Sequence, residues 1–215
     1  MYKLAIFDLD GTLIDTLSSI TASVNIMREE MGSVLVDKRI ILPFVGKGSA
    51  NMLQALCNAT PDSMNMFVTQ YNKIYEENLF NQLQVYQGIG ALLANLKADG
   101  IKVAVVTNKY HRQALDILEY CFKQFSFDAI QGVTDEALKK PNPTQTLALL
   151  KQLGVQSHEA VFIGDSVIDQ QTARAAAIDF KFISWGYGKA EQLTLNPNEI
   201  IHSASELQKS ILGTF

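Results

Sequence analysis

From residue 101 onward, short apolar runs alternate with helical stretches, and that alternation leaves few folds open. Residues 101–106, 128–130, 160–163 and 180–183, with 199–201 as a further candidate, have the length and flanking of buried strands. Between them, residues 112–121, 144–153 (with Pro143 just ahead) and 169–177 read as helices. Ser203 and Glu206 form a capping-box pair ahead of a last helix carrying Leu207 and Ile211. Strands alternating with helices in this way imply a parallel sheet covered on both faces. Leu4-Ala5-Ile6-Phe7 is one more buried strand, set apart from the series.

The intervening block has a different texture. Leu17, Ile20, Val24, Met27 and Met31 repeat at spacings of three and four, and Gly32 follows as a helix stop. Met52, Leu53 and Leu56 suggest a short helix. Thr60-Pro61 reads as an N-cap with proline at the first helical position, ahead of Phe67, Tyr71, Ile74 and Tyr75. Residues 15–82 are therefore expected to be helical. Ile89, Leu92, Leu93 and Leu96 resume a helix that Gly100 closes. The architecture predicted is α/β: a Rossmann-like doubly wound parallel sheet core from residues 1–14 and 83–215, with residues 15–82 inserted as a helical cap domain.

Bulk properties narrow the function classes. At 47% hydrophobic and 19% charged, the 215-residue chain is too apolar for a disordered protein. A net charge of −4 with no Lys/Arg block argues against a nucleic-acid or anionic-membrane surface. No run is long enough to span a bilayer, and the first apolar run is too short for a signal-peptide core. Cys57 and Cys121, without CxxC spacing, read as free buried thiols in a reducing compartment. The expectation is a cytoplasmic monomer or homodimer.

Ligands in open α/β sheets sit beyond the carboxyl ends of the strands. The first strand ends in Asp8 and Asp10, the second in Thr107-Asn108, and the fourth in Gly164-Asp165-Ser166 with Asp169 beyond. The loop after the third carries Lys140 before Pro141. Carboxylates gathered at strand ends repel one another unless a cation sits among them. Oxygen ligands without His or Cys suit Mg²⁺. A lysine and a threonine hydroxyl beside that cation suit a dianionic phosphate.

Asp8-Leu9-Asp10-Gly11-Thr12-Leu13, Val106-Thr107-Asn108-Lys109, Lys140-Pro141-Asn142-Pro143, and Ile163-Gly164-Asp165-Ser166 with Asp169 together resemble the haloacid dehalogenase superfamily, whose four motifs occur here in order. The resemblance spans essentially the whole chain. It implies a Mg²⁺-dependent phosphatase acting on a small phosphorylated metabolite. Asp8 would be the nucleophile and Asp10 the acid and base, its backbone carbonyl also meeting the metal. Asp165 would complete the protein's metal ligands. Asp169 would act through water or as a partner for Lys140. Thr107, the Asn108 amide and Lys140 would hold the phosphoryl oxygens. Within the superfamily, Thr107-Asn108-Lys109 and Ser184-Trp185-Gly186-Tyr187-Gly188 resemble the phosphoglycolate phosphatase group. Tyr110, Gln87 and Ala177 depart from that group's pattern, where proline, proline and glycine are usual. A sugar phosphomutase, an inorganic pyrophosphatase and a non-catalytic binding module stay open.

Plainer readings compete. An Asp pair after a strand is often a turn and cap, Lys140 alone a surface lysine, and Asp169 a helix cap. Gly46-Lys47-Gly48-Ser49 lacks the earlier glycine of a phosphate-binding P-loop, since Ile41 stands there, and is read as an exposed turn. His111, His158 and His202 are scattered and read as surface or helix-end residues.

Overall fold

The computed structural model describes residues 2–213. The chain divides into two compact units: one comprises the segment up to Ile14 and everything from Val85 onward, the other Asp15–Gln84.

The larger unit begins with β1 (Leu4–Phe7), all four residues buried. The chain then crosses at β2 (Ile14–Asp15) into the helical unit of α1 (Leu17–Glu30), α2 (Lys38–Ile41), α3 (Ser49–Cys57) and α4 (Met64–Glu77), and returns at β3 (Gln84–Val85), which pairs with β2. The rest of the larger unit is α5 (Ile89–Ala98), β4 (Lys102–Tyr110), α6 (His111–Cys121), β5 (Ala129–Val133), α7 (Thr144–Leu153), β6 (Ala160–Gly164), α8 (Val167–Ala175), β7 (Asp179–Ile183), β8 (Ile200–Ile201) and α9 (Ala204–Leu212).

Its sheet has the order β5-β4-β1-β6-β7-β8, with every pairing parallel. The order reverses beside β1: the chain steps outward through β4 and β5, then returns to lay β6 on the other side. Such a switch point opens a crevice at the carboxyl ends of the strands it separates, here β1 and β6. Phe7 stands beside Ile163 in the register, and the Asp8 amide donates to the Ile163 carbonyl at 2.9 Å. That pairing sets the segments carrying Asp8 and Asp165 side by side. Leu4, Ile6, Ala104, Val106, Phe162 and Phe182 form part of one apolar cluster with Leu149, Leu150 and Ala173 from the helices.

In the helical unit, α1 buries Leu17, Ile20, Val24 and Met27, whereas Met31 caps the helix and is exposed. The expected helix start at Thr60-Pro61 is corrected. Thr60 and Ser63 close a turn through their hydroxyls, and α4 begins at Met64. The turn satisfies locally the polar groups that a cap would have used. The last helix keeps half of its expected box: Ser203 accepts from the Glu206 amide, while Glu206 reaches the amide of His202 instead. No helix among the described residues is long and apolar enough to cross a membrane.

Ala177 explains one departure noted in the sequence. It follows the end of α8 with φ of 54°, and the Ala177 and Ile178 amides donate to the Arg174 and Ala173 carbonyls. This is a Schellman termination, whose left-handed position glycine normally fills. Ala177→Gly is expected to stabilise the protein by about 0.5–1 kcal/mol, because the left-handed cost of about 1–2 kcal/mol is partly offset by glycine's looser unfolded chain. Thermal unfolding at fixed pH checks this, and a fall in Tm would count against it.

Candidate active site

Asp8 follows β1 directly, and the chain then turns sharply. The Gly11 amide donates to the Ile14 carbonyl, and the Leu13 amide returns to Leu9. Gly11 sits at φ of 86°, and a Cβ there would meet the Tyr187 ring at 2.6 Å and an Asp165 oxygen at 2.7 Å. Glycine is thus required by both backbone and neighbours. The turn brings the Thr12 hydroxyl to 3.3 Å from Asp165 Oδ1.

Asp165 and Asp169 enter from the other side of the switch point. The carboxylate of Asp165 is held by the amides of Tyr187 and Gly188, both donating to Oδ2 at 2.6 and 3.1 Å. Asp169 lies in the first turn of α8, where Ser166 Oγ accepts from the Asp169 amide and Asp169 Oδ2 accepts from the Ser166 amide and hydroxyl. A Cβ on Gly164 would fall 2.5 Å from the Asp169 side chain, so the end of β6 must be glycine for Asp169 to fold back over it.

Three carboxylates from two segments thus converge. Asp8, Asp165 and Asp169 are 4%, 3% and 0% exposed, and each offers an oxygen within 4.8 Å of the others. Lys140 binds two of them, with Nζ 2.7 Å from Asp8 Oδ1 and 2.6 Å from Asp169 Oδ1. Its ammonium also lies 5.5 Å from the centre of the Phe162 ring. Lys140 is held in place by the Asn108 side chain, which accepts from the Lys140 amide and donates to its carbonyl, at 2.7 and 3.0 Å.

One ammonium does not balance three buried carboxylates. Burial pushes the Asp8 carboxyl up to about 8, with Asp169 and Asp165 adding to the rise and Lys140 opposing it. Burial and the charge of Asp169 push Asp165 up to about 7 against the two amides that favour its anion. For Lys140, burial alone would lower the pKa, but Asp169 and Asp8 outweigh it and the ammonium is held firmly protonated. Three carboxylates against one ammonium leave two negative charges, all on hard oxygen donors. The set therefore fits a divalent cation of the Mg²⁺ type.

Asp10 is placed differently. Its carboxylate is bound through both oxygens by Lys109 Nζ, at 2.9 and 3.0 Å, and does not join the acidic trio. The Lys109 amide in turn donates to Thr107 Oγ1 at 3.2 Å. Of the residues singled out in the sequence, the structure brings Asp8, Lys140, Asp165 and Asp169 into association, sets Asn108 beside them through its bonds to Lys140, leaves Thr107 buried with its hydroxyl accepting from the Lys109 amide, and turns the Asp10 side chain to Lys109. The surface reading of Lys140 does not survive, since it is buried and paired, and Asp10 is buried and paired at the start of the turn. Asp169 is both a helix cap and a partner of Lys140.

Lys109, Thr12, Ser166 and the amides of Tyr187 and Gly188 were not assigned to the site from the sequence. Lys109 had a signal: a lysine on the end of a buried strand has little access to water and needs an anion. The amides had none, because a main-chain donor leaves no trace in residue identity. Cys57 and Cys121 are free, as expected, with Cys121 only partly buried. His111 is at the start of α6, where Nδ1 accepts from the Gly132 amide at 3.2 Å.

Comparison with known proteins is consistent with this geometry. The sequence model of the haloacid dehalogenase-like hydrolases matches residues 5–183. A phosphoglycolate phosphatase of Chromobacterium violaceum is 32% identical, with 95% of this chain and 94% of that protein aligned. The phosphoglycolate phosphatase of Nitrosospira multiformis is 29% identical over 97% of this chain and 95% of its own length. The crystal structure of a candidate phosphoglycolate phosphatase from Lactobacillus delbrueckii subsp. bulgaricus superimposes with a TM-score of 0.88 at 29% identity, covering 99% of each chain.

Proposed function

Because the chain belongs to the haloacid dehalogenase-like hydrolase family and is a phosphatase, a phosphoric monoester hydrolase, we propose that it hydrolyses a small phosphorylated metabolite of the phosphoglycolate type through a phospho-Asp8 intermediate. The observation that carries this reading is Lys140 bridging Asp8 and Asp169 inside the acidic trio.

Asp8 Oδ1 accepts from Lys140, and a carboxylate has a second oxygen with which to attack phosphorus. The same ammonium is placed to balance phosphoryl charge as the bond forms, and the Thr107 hydroxyl can donate to a phosphoryl oxygen. Asp8, Asp165, Asp169 and the Asp10 backbone carbonyl would hold Mg²⁺, which supplies countercharge to the phosphoryl oxygens and keeps Asp8 ionised beside an anionic substrate. Asp10 would protonate the leaving oxygen and then take a proton from the attacking water. The helical unit is read as the cap that selects the leaving group.

The test is phosphate release from a panel of small phosphate esters that includes phosphoglycolate, with Mg²⁺ and with EDTA. Mg²⁺-dependent release from phosphoglycolate and a few close analogues is expected, and silence across the panel from folded protein refutes the reading. Because Asp165 is assigned to the cation, Asp165→Ala is expected to raise the Mg²⁺ needed for half-maximal activity about tenfold or more. An unchanged Mg²⁺ requirement would remove Asp165 from the ligands.

A further inference from the structure

Among the described residues, Lys109 is the one buried lysine near the site that the reaction scheme above does not use. Its side chain and that of Asp10 are 5% and 8% exposed, and its ammonium contacts both Asp10 oxygens within 3.0 Å. The lysine sits near the end of β4, which pairs directly with β1, so it reaches from one strand to the turn that follows the next. Its amide is tied to Thr107 Oγ1, which steadies the main chain from which the side chain extends. A buried ion pair is weak evidence for stability, because two well-packed apolar residues often serve as well. What such a pair does supply is a defined position for a side chain that would otherwise rotate.

We propose that Lys109 is a positioning residue for proton transfer: it holds the Asp10 carboxyl group where the leaving oxygen and the attacking water are met. The proposal rests on the reading of Asp10 as acid and base. In the first half-reaction an Asp8 oxygen bonds to phosphorus, and the bond from phosphorus to the bridging oxygen breaks. The bridging oxygen departs with the electron pair and takes the proton of Asp10, which becomes a carboxylate. In the second half-reaction a water oxygen bonds to phosphorus and the bond from phosphorus to Asp8 breaks. The electron pair stays on Asp8, and the water's proton passes to Asp10. A basic alkoxide leaving group needs that first proton far more than a nitrophenolate does. The second half-reaction is common to every ester, so misplacing Asp10 must harm alkyl esters selectively in kcat/KM, which ends with departure of the leaving oxygen, whereas a loss of folding or packing must lower kcat/KM for all esters alike.

The experiment measures kcat and KM with Mg²⁺ for an alkyl phosphate and for p-nitrophenyl phosphate, in wild type, Asp10→Asn, Lys109→Met and Lys109→Arg. Lys109→Met is expected to lower kcat/KM for the alkyl ester about 100-fold, within the range usual for lost acid–base catalysis. Its loss of kcat/KM on p-nitrophenyl phosphate should be no more than about 3-fold, so that its leaving-group dependence resembles that of Asp10→Asn. Lys109→Arg, which keeps the charge and a two-pronged donor, is expected to retain the wild-type ratio between the two esters. A uniform loss of kcat/KM on both esters in Lys109→Met, or a raised KM with kcat unchanged, overturns the proposal; the second would make Lys109 a substrate contact. If Lys109→Met does not fold, a lost wild-type ratio in Lys109→Arg overturns it and a retained ratio supports it. Failure of the wild-type protein to hydrolyse either ester would instead sink the phosphatase reading itself.

Discussion

Asp8→Asn is expected to lower kcat by about ten-thousand-fold or more, the scale on which removing a nucleophile acts. The argument is geometric and chemical together. Asn has the shape of Asp, so the turn through Gly11 and the Asp8 amide bond to Ile163 should be kept. The amide oxygen can still accept from Lys140, but the amide group is not a nucleophile toward phosphorus. The substitution also removes one of three converging negative charges. Since burial pushes the Asp8 carboxyl up to about 8, its loss should leave cation-free stability at pH 8.5 unchanged or higher. A sensitive phosphate assay and a melting curve test both halves of the expectation. Near-normal turnover would sink the covalent mechanism, and a lower Tm than wild type at pH 8.5 in EDTA would sink the claim that the Asp8 charge is costly in the cation-free fold.

Lys140→Met should be the largest single blow to stability. Removing one member of a buried, bonded charge cluster typically costs about 3–5 kcal/mol, because the partners are left buried without countercharge. Lys140 is the one cation bonded to both Asp8 and Asp169 among the described residues. The cost must depend on pH, and its sign follows from the raised carboxyls. Asp8 and Asp165 titrate at about 8 and about 7 in the fold, against about 3.9 in an unfolded chain. A raised acid contributes stability that is complete below its unfolded pKa and is lost as pH rises through its folded pKa. Cation-free wild type should therefore be more stable at pH 5 than at pH 8.5. Lys140→Met should be hurt more at pH 8.5 than at pH 5, because relieving its carboxylates with protons costs more as pH rises. Unfolding in EDTA at the two pH values measures this, and an equal penalty at both would refute the electrostatic account. Adding Mg²⁺ at pH 8.5 is expected to raise the Tm of wild type, and the absence of a rise would argue against the trio as a cation site.

The position of the site follows from two levels of information. That Asp8 follows a buried strand, that Thr107 lies near the end of another, and that Asp165 ends a third are local facts. Four apolar residues followed by Asp-Leu-Asp-Gly carry them in the period and punctuation of the chain. Alternating strands and helices then imply a parallel sheet, and parallel sheets place chemistry at the carboxyl ends. The helical insertion was legible for the same reason, since spacings of three and four recur from Leu17 to Met27 and again through Tyr71 and Tyr75. Even Ala177 carried information: glycine's usual place there reflects a left-handed helix end, and the structure has that end at φ of 54°.

What the chain order did not contain is which charges meet. Asp8 and Asp10 are two residues apart, yet one is bound by Lys140 and the other by Lys109, and only Asp8 joins the acidic trio. Lys139 and Lys140 are neighbours of identical chemistry, yet Lys140 is buried against two carboxylates while Lys139 pairs with Glu136 nearer the surface. The amides of Tyr187 and Gly188 hold Asp165 from twenty-two and twenty-three residues away. Periodicity and turn chemistry are set by neighbours along the chain, so the sequence by itself determined the elements and the end of the sheet that carries the candidate site. Pairing among buried charges depends on directions and distances within a few ångströms and on the dielectric around them. Only the packed tertiary structure, with β1 and β6 side by side, decided those.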